Sequence, residues 1–289
     1  MDPVNQISMY LPGRIRDALE KYPIRERSRF TELHLRCGQS PTICMDGREQ
    51  ILPNTEKVRM EELERFLGQA SGGALYSVQS SISQGFLTLS GGHRVGICGT
   101  AVMNAGSVLT IKEPSSLCIR FAKEFRSIGN QLAALMKTSR RSTLILGPPG
   151  SGKTTLLRDV IRILSDEHET QICLLDERNE VAAVLNGIPQ LPVGQHTDVL
   201  SGFPKRQGIE LALRAMAPSW IALDEISSVQ DLETMEKASY CGVHFLATAH
   251  ADSMDDLHRR GLYRKLLEQG IFGLFWMLNQ NQQGREVIP

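Results

Sequence analysis

The sequence predicts an α/β chain: a mainly parallel sheet covered on both faces by helices, preceded by a smaller α+β domain. Three observations predict it. From Thr143 onward, apolar strand-like runs alternate with helix-forming segments, the cadence of parallel strands joined by crossover helices. Before Ile128, alternating strand patterns are broken by turn signals and two short helical periods. GPPGSGKTT, from Gly147 to Thr155, is a glycine-rich turn between an apolar strand and a helix-forming run. The boundaries read as 1–127 for the α+β domain, 128–142 for a linker and 143–289 for the α/β domain.

The first region opens with an amphipathic helix, Pro12 to Tyr22. ELHLRC and PTICMDG follow as two strand patterns, the second running into the Asp46-Gly47 turn signal. MEELERFLGQA is a short helix with Leu63, Phe66 and Leu67 on one face. FLTLSGGHRVGICGTAV reads as a hairpin around Gly91-Gly92, and VLTIKEPSSLCIRF continues the strand pattern. IGNQLAALMKTSRRS reads as a connecting helix and polar linker. The second region then alternates: TLILG, TLLRDVIRILSD, ICLLDE, a long loop, GIELALRAMA, WIALDE, LETMEKASYC, VHFLATAH and DSMDDLHRRGLYRKLLEQ.

Composition excludes several classes. Formal net charge is zero and only 6% of residues are aromatic, so there is no basic stripe interleaved with stacking residues for nucleic acid. The cysteines (Cys37, Cys44, Cys98, Cys118, Cys173, Cys241) are scattered singly without metal-ligand spacing and read as buried reduced thiols. No basic segment followed by an apolar one opens the chain. IFGLFWML, Ile271 to Leu278, is far short of the ~20 residues a spanning helix needs. The expectation is a cytoplasmic protein that meets a membrane through partners, without inserting into it.

The nucleotide signal is specific. In Gly147-Pro148-Pro149-Gly150-Ser151-Gly152-Lys153-Thr154-Thr155, the glycines let successive backbone N–H groups face phosphates at a helix N-terminus. Lys153 suits the β/γ-phosphates, and the Thr154 hydroxyl suits Mg2+. WIALDEI adds an apolar strand ending in Asp224, on the magnesium side, and Glu225, placed to polarise water. ATP or GTP, with Mg2+, is the expected ligand on these residues alone, and the resemblance below points to ATP. CLLDERNE sets the acids Asp176, Glu177 and Glu180 at another strand end, soon after the helix that follows the glycine-rich turn. GVHFLATAH ends in His250, one helix after the Asp-Glu pair.

Together these residues resemble the secretion-type ATPases that drive type II secretion, type IV pili and type IV secretion. ELHLRCGQSPTICMDG resembles the opening strands of their N-terminal domain. CLLDERNE falls at their acidic "Asp box", and ALRAMAPSWIALDEISSVQDLETMEKASYCGVHFLATAH parallels their Walker B segment and "His box". Many of those motors carry glycine where this chain has Asp224, and its final region is shorter. LDERNE, DVLSGFPKRQGIELALRAMAP and ALDEI are closer to the family's sporulation branch, the cytoplasmic ATPases of a channel between mother cell and forespore. The resemblance implies a RecA-like core, a hexameric ring formed with ATP, and membrane-channel partners. It implies that Asp176 helps hold magnesium, that Glu177 or Glu180 assists with water, and that His250 senses the γ-phosphate. It also implies a clamp arginine, with Arg94 and Arg120 of the N-terminal domain as candidates and Arg214, in the helix before Walker B, as a third. Two other readings are an ATP-gated single-strand nucleic-acid binder, which the neutral charge disfavours, and a non-hydrolysing scaffold, which Lys153, Asp224 and Glu225 disfavour.

Overall fold

The expected α/β division is present in the structure, a computed structural model that describes residues 2–72, 79, 81–280 and 283–288. Two bodies divide the chain: Met1–Lys123 with Leu185–Gln190, and Glu124–Val184 with Leu191–Pro289.

In the first body, α1 (Pro3–Ile7), α2 (Gly13–Glu20) and α3 (Ile24–Arg27) precede β1 (Phe30–Arg36), β2 (Thr42–Met45) and β3 (Arg48–Ile51). Then come α4 (Met60–Ala70), β4 (Phe86–Thr88), β5 (Arg94–Asn104) and β6 (Ser107–Arg120). The strands form one antiparallel sheet in the order β3-β2-β1-β6-β5-β4. Asp46 and Gly47, with φ of 50° and 76°, close the two-residue turn between β2 and β3, as the Asp-Gly signal predicts. A register shift between Phe30 and Glu32 puts Phe30 on the same face as Leu33 and Leu35. These pack against Ile7, Ile15, Leu19, Leu63 and Phe66 from the helices. Leu67 is partly buried beside them. Glu32, His34 and Arg36 alternate onto the other face, away from this core.

Thiol burial departs from expectation. Only Cys173 is buried; Cys44 and Cys118 are half-buried, and Cys37, Cys98 and Cys241 are exposed. The apolar strand runs around Cys44 and Cys118 belong to a sheet with only one face in the core, and the cysteines occupy the alternate positions.

The second body begins with α5 (Asn130–Ser139), followed by β7 (Thr143–Gly147), α6 (Lys153–His168) and β8 (Ile172–Asp176). A short two-stranded ladder, β9 (Val184–Leu185) and β10 (Ile188–Pro189), interrupts it before β11 (Thr197–Ser201). The rest comprises α7 (Lys205–Leu211), a π-helical turn (Ala212–Met216), β12 (Trp220–Leu223), α8 (Val229–Ser239) and β13 (His244–His250). The chain ends with α9 (Met254–Arg259), α10 (Gly261–Gln269), β14 (Leu274–Leu278) and β15 (Gly284–Val287). The sheet order is β11-β8-β12-β13-β7-β14-β15, parallel except for the β14–β15 edge.

Both faces of this sheet are buried. Leu144, Leu146, Phe245 and Ala247 pack against α7, α8, α9 and α10, while Ile145 and Leu246 pack against α5 and α6. The segment expected as a linker is therefore part of this core: Leu132, Ala133 and Met136 of α5 are buried against α6, and Gly129 N–H donates to buried Asp159 at 2.8 Å. The stretch expected as a long loop contains β9, β10 and β11. Among the described residues no helix is long and apolar enough to cross a membrane. Ile271 to Leu278 instead supplies β14, paired with β7, the strand that leads into the glycine-rich phosphate-binding turn (P-loop) expected at Gly147 to Thr155.

Candidate nucleotide site

A parallel sheet turns the carboxyl ends of its strands toward one edge, where adjacent crossovers leave a crevice. Here Gly147 ends β7 opposite His250 of β13, and Leu223 of β12 aligns with Ala247 of β13 and Leu175 of β8. This register brings the P-loop, His250, Asp224-Glu225 and Asp176 to one edge, although they are distant in sequence.

The turn after β7 requires its glycines. A Cβ on Gly147 would meet Ser151 Oγ at 2.6 Å and Leu278 O at 3.0 Å, and Gly152 enters α6 at φ 89°. Pro148, Pro149 and Gly150 carry the loop around, and Thr154 and Thr155 lie in the first turn of α6. Ser151 Oγ is buried without a hydrogen-bond partner among the described residues. A phosphate oxygen is the kind of acceptor that hydroxyl lacks.

An ammonium carries three protons, and Lys153 has three protein acceptors: Gly147 O at 2.8 Å, Pro148 O at 2.8 Å and His250 Nδ1 at 3.0 Å. Because lysine only donates, His250 Nδ1 is the acceptor, and the ring N–H sits on Nε2, 3.5 Å from Glu225 Oε1. Burial pushes the Lys153 ammonium below the ordinary lysine range, against the opposing pull of Asp224, Glu225 and Asp252.

Thr154 Oγ1 donates to Asp224 Oδ2 at 2.8 Å, so two hard oxygen groups already converge where Mg2+ is expected. Glu225 has φ 51°, a left-handed conformation uncommon for a side-chain-bearing residue. Thr248, within β13, holds this turn with one hydroxyl: it donates to Asp224 Oδ1 at 2.6 Å and accepts Glu225 N–H at 2.8 Å. Sequence reasoning missed Thr248. Its signal is one hydroxyl in the otherwise apolar run FLATA, buried in the fold.

Asp176, Glu177 and Glu180 share a small cleft with Asp224, Glu225, Arg178 and Lys205. Their roles differ. Asp176 is 1% exposed and accepts backbone N–H groups from Glu180, Val181 and Ala182, with both oxygens engaged. Burial raises its pKa despite those bonds. Its geometry is that of a loop anchor, with both oxygens already accepting from the backbone of Glu180, Val181 and Ala182. Glu177 pairs with Lys205 at 2.6 Å, and Glu180 O accepts from Arg158 at 2.8 Å. Arg178, also missed, reaches Glu225 Oε2 at 3.2 Å. Its position inside LDERNE, between the acids, was the available sign.

Arg94 and Arg120 belong to the first body, where they are direct register partners across β5 and β6. The Arg94 guanidinium lies 3.8 Å above the Phe86 ring, and Arg120 Nε pairs with Glu32 at 3.2 Å. Arg214 lies in the π-helical turn, its Nε 3.4 Å from Glu210 O.

Comparison with known proteins agrees with this architecture. The family described as "Sporulation stage III, protein AA" matches residues 1–288. Stage III sporulation protein AA of Bacillus subtilis (strain 168) is 31% identical over 282 residues, spanning 96% of this chain and 91% of that protein. The Legionella pneumophila ATPase DotB matches with a TM-score of 0.60 at 16% identity, over 92% of this chain and 76% of that one. The pilus retraction motor PilT, solved with bound ADP, gives 0.60 at 18% identity, over 91% and 76%. At such identities the two solved structures establish a common fold, while the match along nearly the whole sequence establishes descent: the chain belongs to the Sporulation stage III, protein AA family.

Proposed function

We propose that this chain is an Mg2+-dependent ATPase that powers a membrane-spanning channel during endospore formation. One observation carries the enzymatic part: Lys153, the Thr154–Asp224 pair, Glu225 and His250 meet at the carboxyl ends of adjacent strands β12, β13 and β7. The P-loop amides and Lys153 bind the β/γ-phosphates, with Ser151 Oγ gaining a partner. Thr154 and Asp224 would hold Mg2+, which when bound offsets phosphate charge. Glu225 orients the attacking water and takes its proton as the bond from the γ-phosphorus to the bridging oxygen breaks and ADP leaves. His250 links ground state to chemistry. When Lys153 turns to phosphate, Nδ1 of His250 loses its donor, and the ring's hold on Glu225 changes.

Family membership supports the sporulation role, and the fold shared with DotB and PilT supports a motor. On this reading the chain assembles with ATP into a hexameric ring. It joins membrane proteins of a sporulation channel at their cytoplasmic face, and Arg94 or Arg120 completes a nucleotide site. The test is turnover with binding measured separately. Lys153→Ala should lose nucleotide binding. Glu225→Gln should keep ATP-Mg2+ and turn over at least ~100-fold more slowly, since a positioned base contributes roughly 10²–10⁴-fold. Near-normal turnover in Glu225→Gln would move the base to Glu177 or Glu180.

A further inference from the structure

On the first body's sheet, the face away from the core gathers three donors of different chemistry. Glu32 and His34 stand two apart on β1 and so share a face, and Cys44 on β2 is the register partner of Glu32. A carboxylate oxygen of Glu32, a ring nitrogen of His34 and the Cys44 sulfur all lie within 4.8 Å of one another. We propose that Glu32, His34 and Cys44 form a binding site for a zinc-type divalent cation, separate from the nucleotide site.

The donor set argues for the metal class. Thiolate, imidazole and carboxylate together suit Zn2+, which is tetrahedral and leaves one position for water with three protein ligands. Mg2+ prefers oxygen alone and is poorly served here. The carboxylate is already oriented: Arg120 Nε holds Glu32 Oε1 at 3.2 Å, leaving Oε2 toward His34 Nε2 at 3.1 Å. Such outer contacts fix ligand geometry in metal sites.

The probe is Co2+, added to metal-free full-length protein without nucleotide. Expected is uptake of one sulfur-bound Co2+ per chain, seen as thiolate-to-cobalt charge-transfer absorption, and displaced by Zn2+ but not by excess Mg2+. Cys44→Ser should abolish the band. His34→Gln should weaken binding at least ~10-fold, the lower bound for disturbing even an outer contact. Cys118→Ser, on the neighbouring strand, should keep the band. Circular dichroism confirms that each variant is folded, and His34→Gln tests the site without touching sulfur. Absence of the band in the wild type, its persistence in Cys44→Ser, unchanged affinity in His34→Gln, or its loss in Cys118→Ser would each overturn the assignment.

Discussion

Thr248 shows how much of the site depends on a residue that touches no reacting atom. Its hydroxyl binds both Asp224 and the Glu225 backbone, so Thr248→Val removes two contacts while keeping volume. Stability should fall by about 1–3 kcal/mol for the groups left unpaired. Turnover should fall about 10–100-fold, as for lost supporting contacts at metal sites. Thr248→Ser should recover most of the rate, because it restores the hydroxyl. Steady-state ATP hydrolysis checks this, and a valine variant at wild-type rate would make Thr248 a packing residue only. At this scale the sequence was most legible for groups in continuous motifs: Lys153, Thr154, Asp224, Glu225 and His250 all stand where strand and turn patterns put them. Thr248, Arg178 and the Glu32–His34–Cys44 cluster were not, because each acquires its neighbours through strand register or loop folding.

At the scale of elements, buried His93 ties the first helix to the end of β6. Its Nδ1 accepts the Ala122 N–H at 3.0 Å, leaving the Nε2–H to donate to Gln6 Oε1 at 2.9 Å. Burial lowers its pKa from the ordinary 6.5 to about 4. The unfolded chain therefore takes up this proton more readily than the folded one. The contribution is full above pH 6.5, declines as pH falls, and is lost through about pH 4. The difference amounts to about 3 kcal/mol at one pKa unit per ~1.4 kcal/mol. Urea unfolding of wild type and His93→Gln from pH 7.5 to 4 should show a stability gap that narrows with acid. A gap constant with pH would remove His93 from the acid response. Elements with strong periodicity were readable, including the hairpin at Gly91-Gly92 and the alternation after Thr143. β11 was not: it is an edge strand, half-buried with Asp198 exposed, and lacks the continuous apolar run that marks β7, β8 and β13. Helix α5 reads as a connector because only Leu132, Ala133 and Met136 of its ten residues are buried, a short apolar stripe followed by a polar run.

For the whole molecule, the proposed motor requires positive charge beyond Lys153 at the transferring phosphoryl group. Such an arginine can contribute about 10³–10⁵-fold. The Arg94→Ala/Arg120→Ala double variant should therefore lose most of its turnover while keeping ATP affinity. Mass in solution with and without ATP, compared between wild type and variant, separates lost chemistry from lost assembly. Full activity in the double variant at equal assembly would exclude both arginines as the clamp. Deleting the first body is a poorer test, since the chain enters that body twice, through Met1–Lys123 and again through Leu185–Gln190. A cut after Lys123 leaves the second visit attached to the wrong piece. The same path limits how such a protein can be inherited. A single recombination junction after Lys123 would exchange Met1–Lys123 without Leu185–Gln190, so a chimera of two relatives would build its first body from both parents.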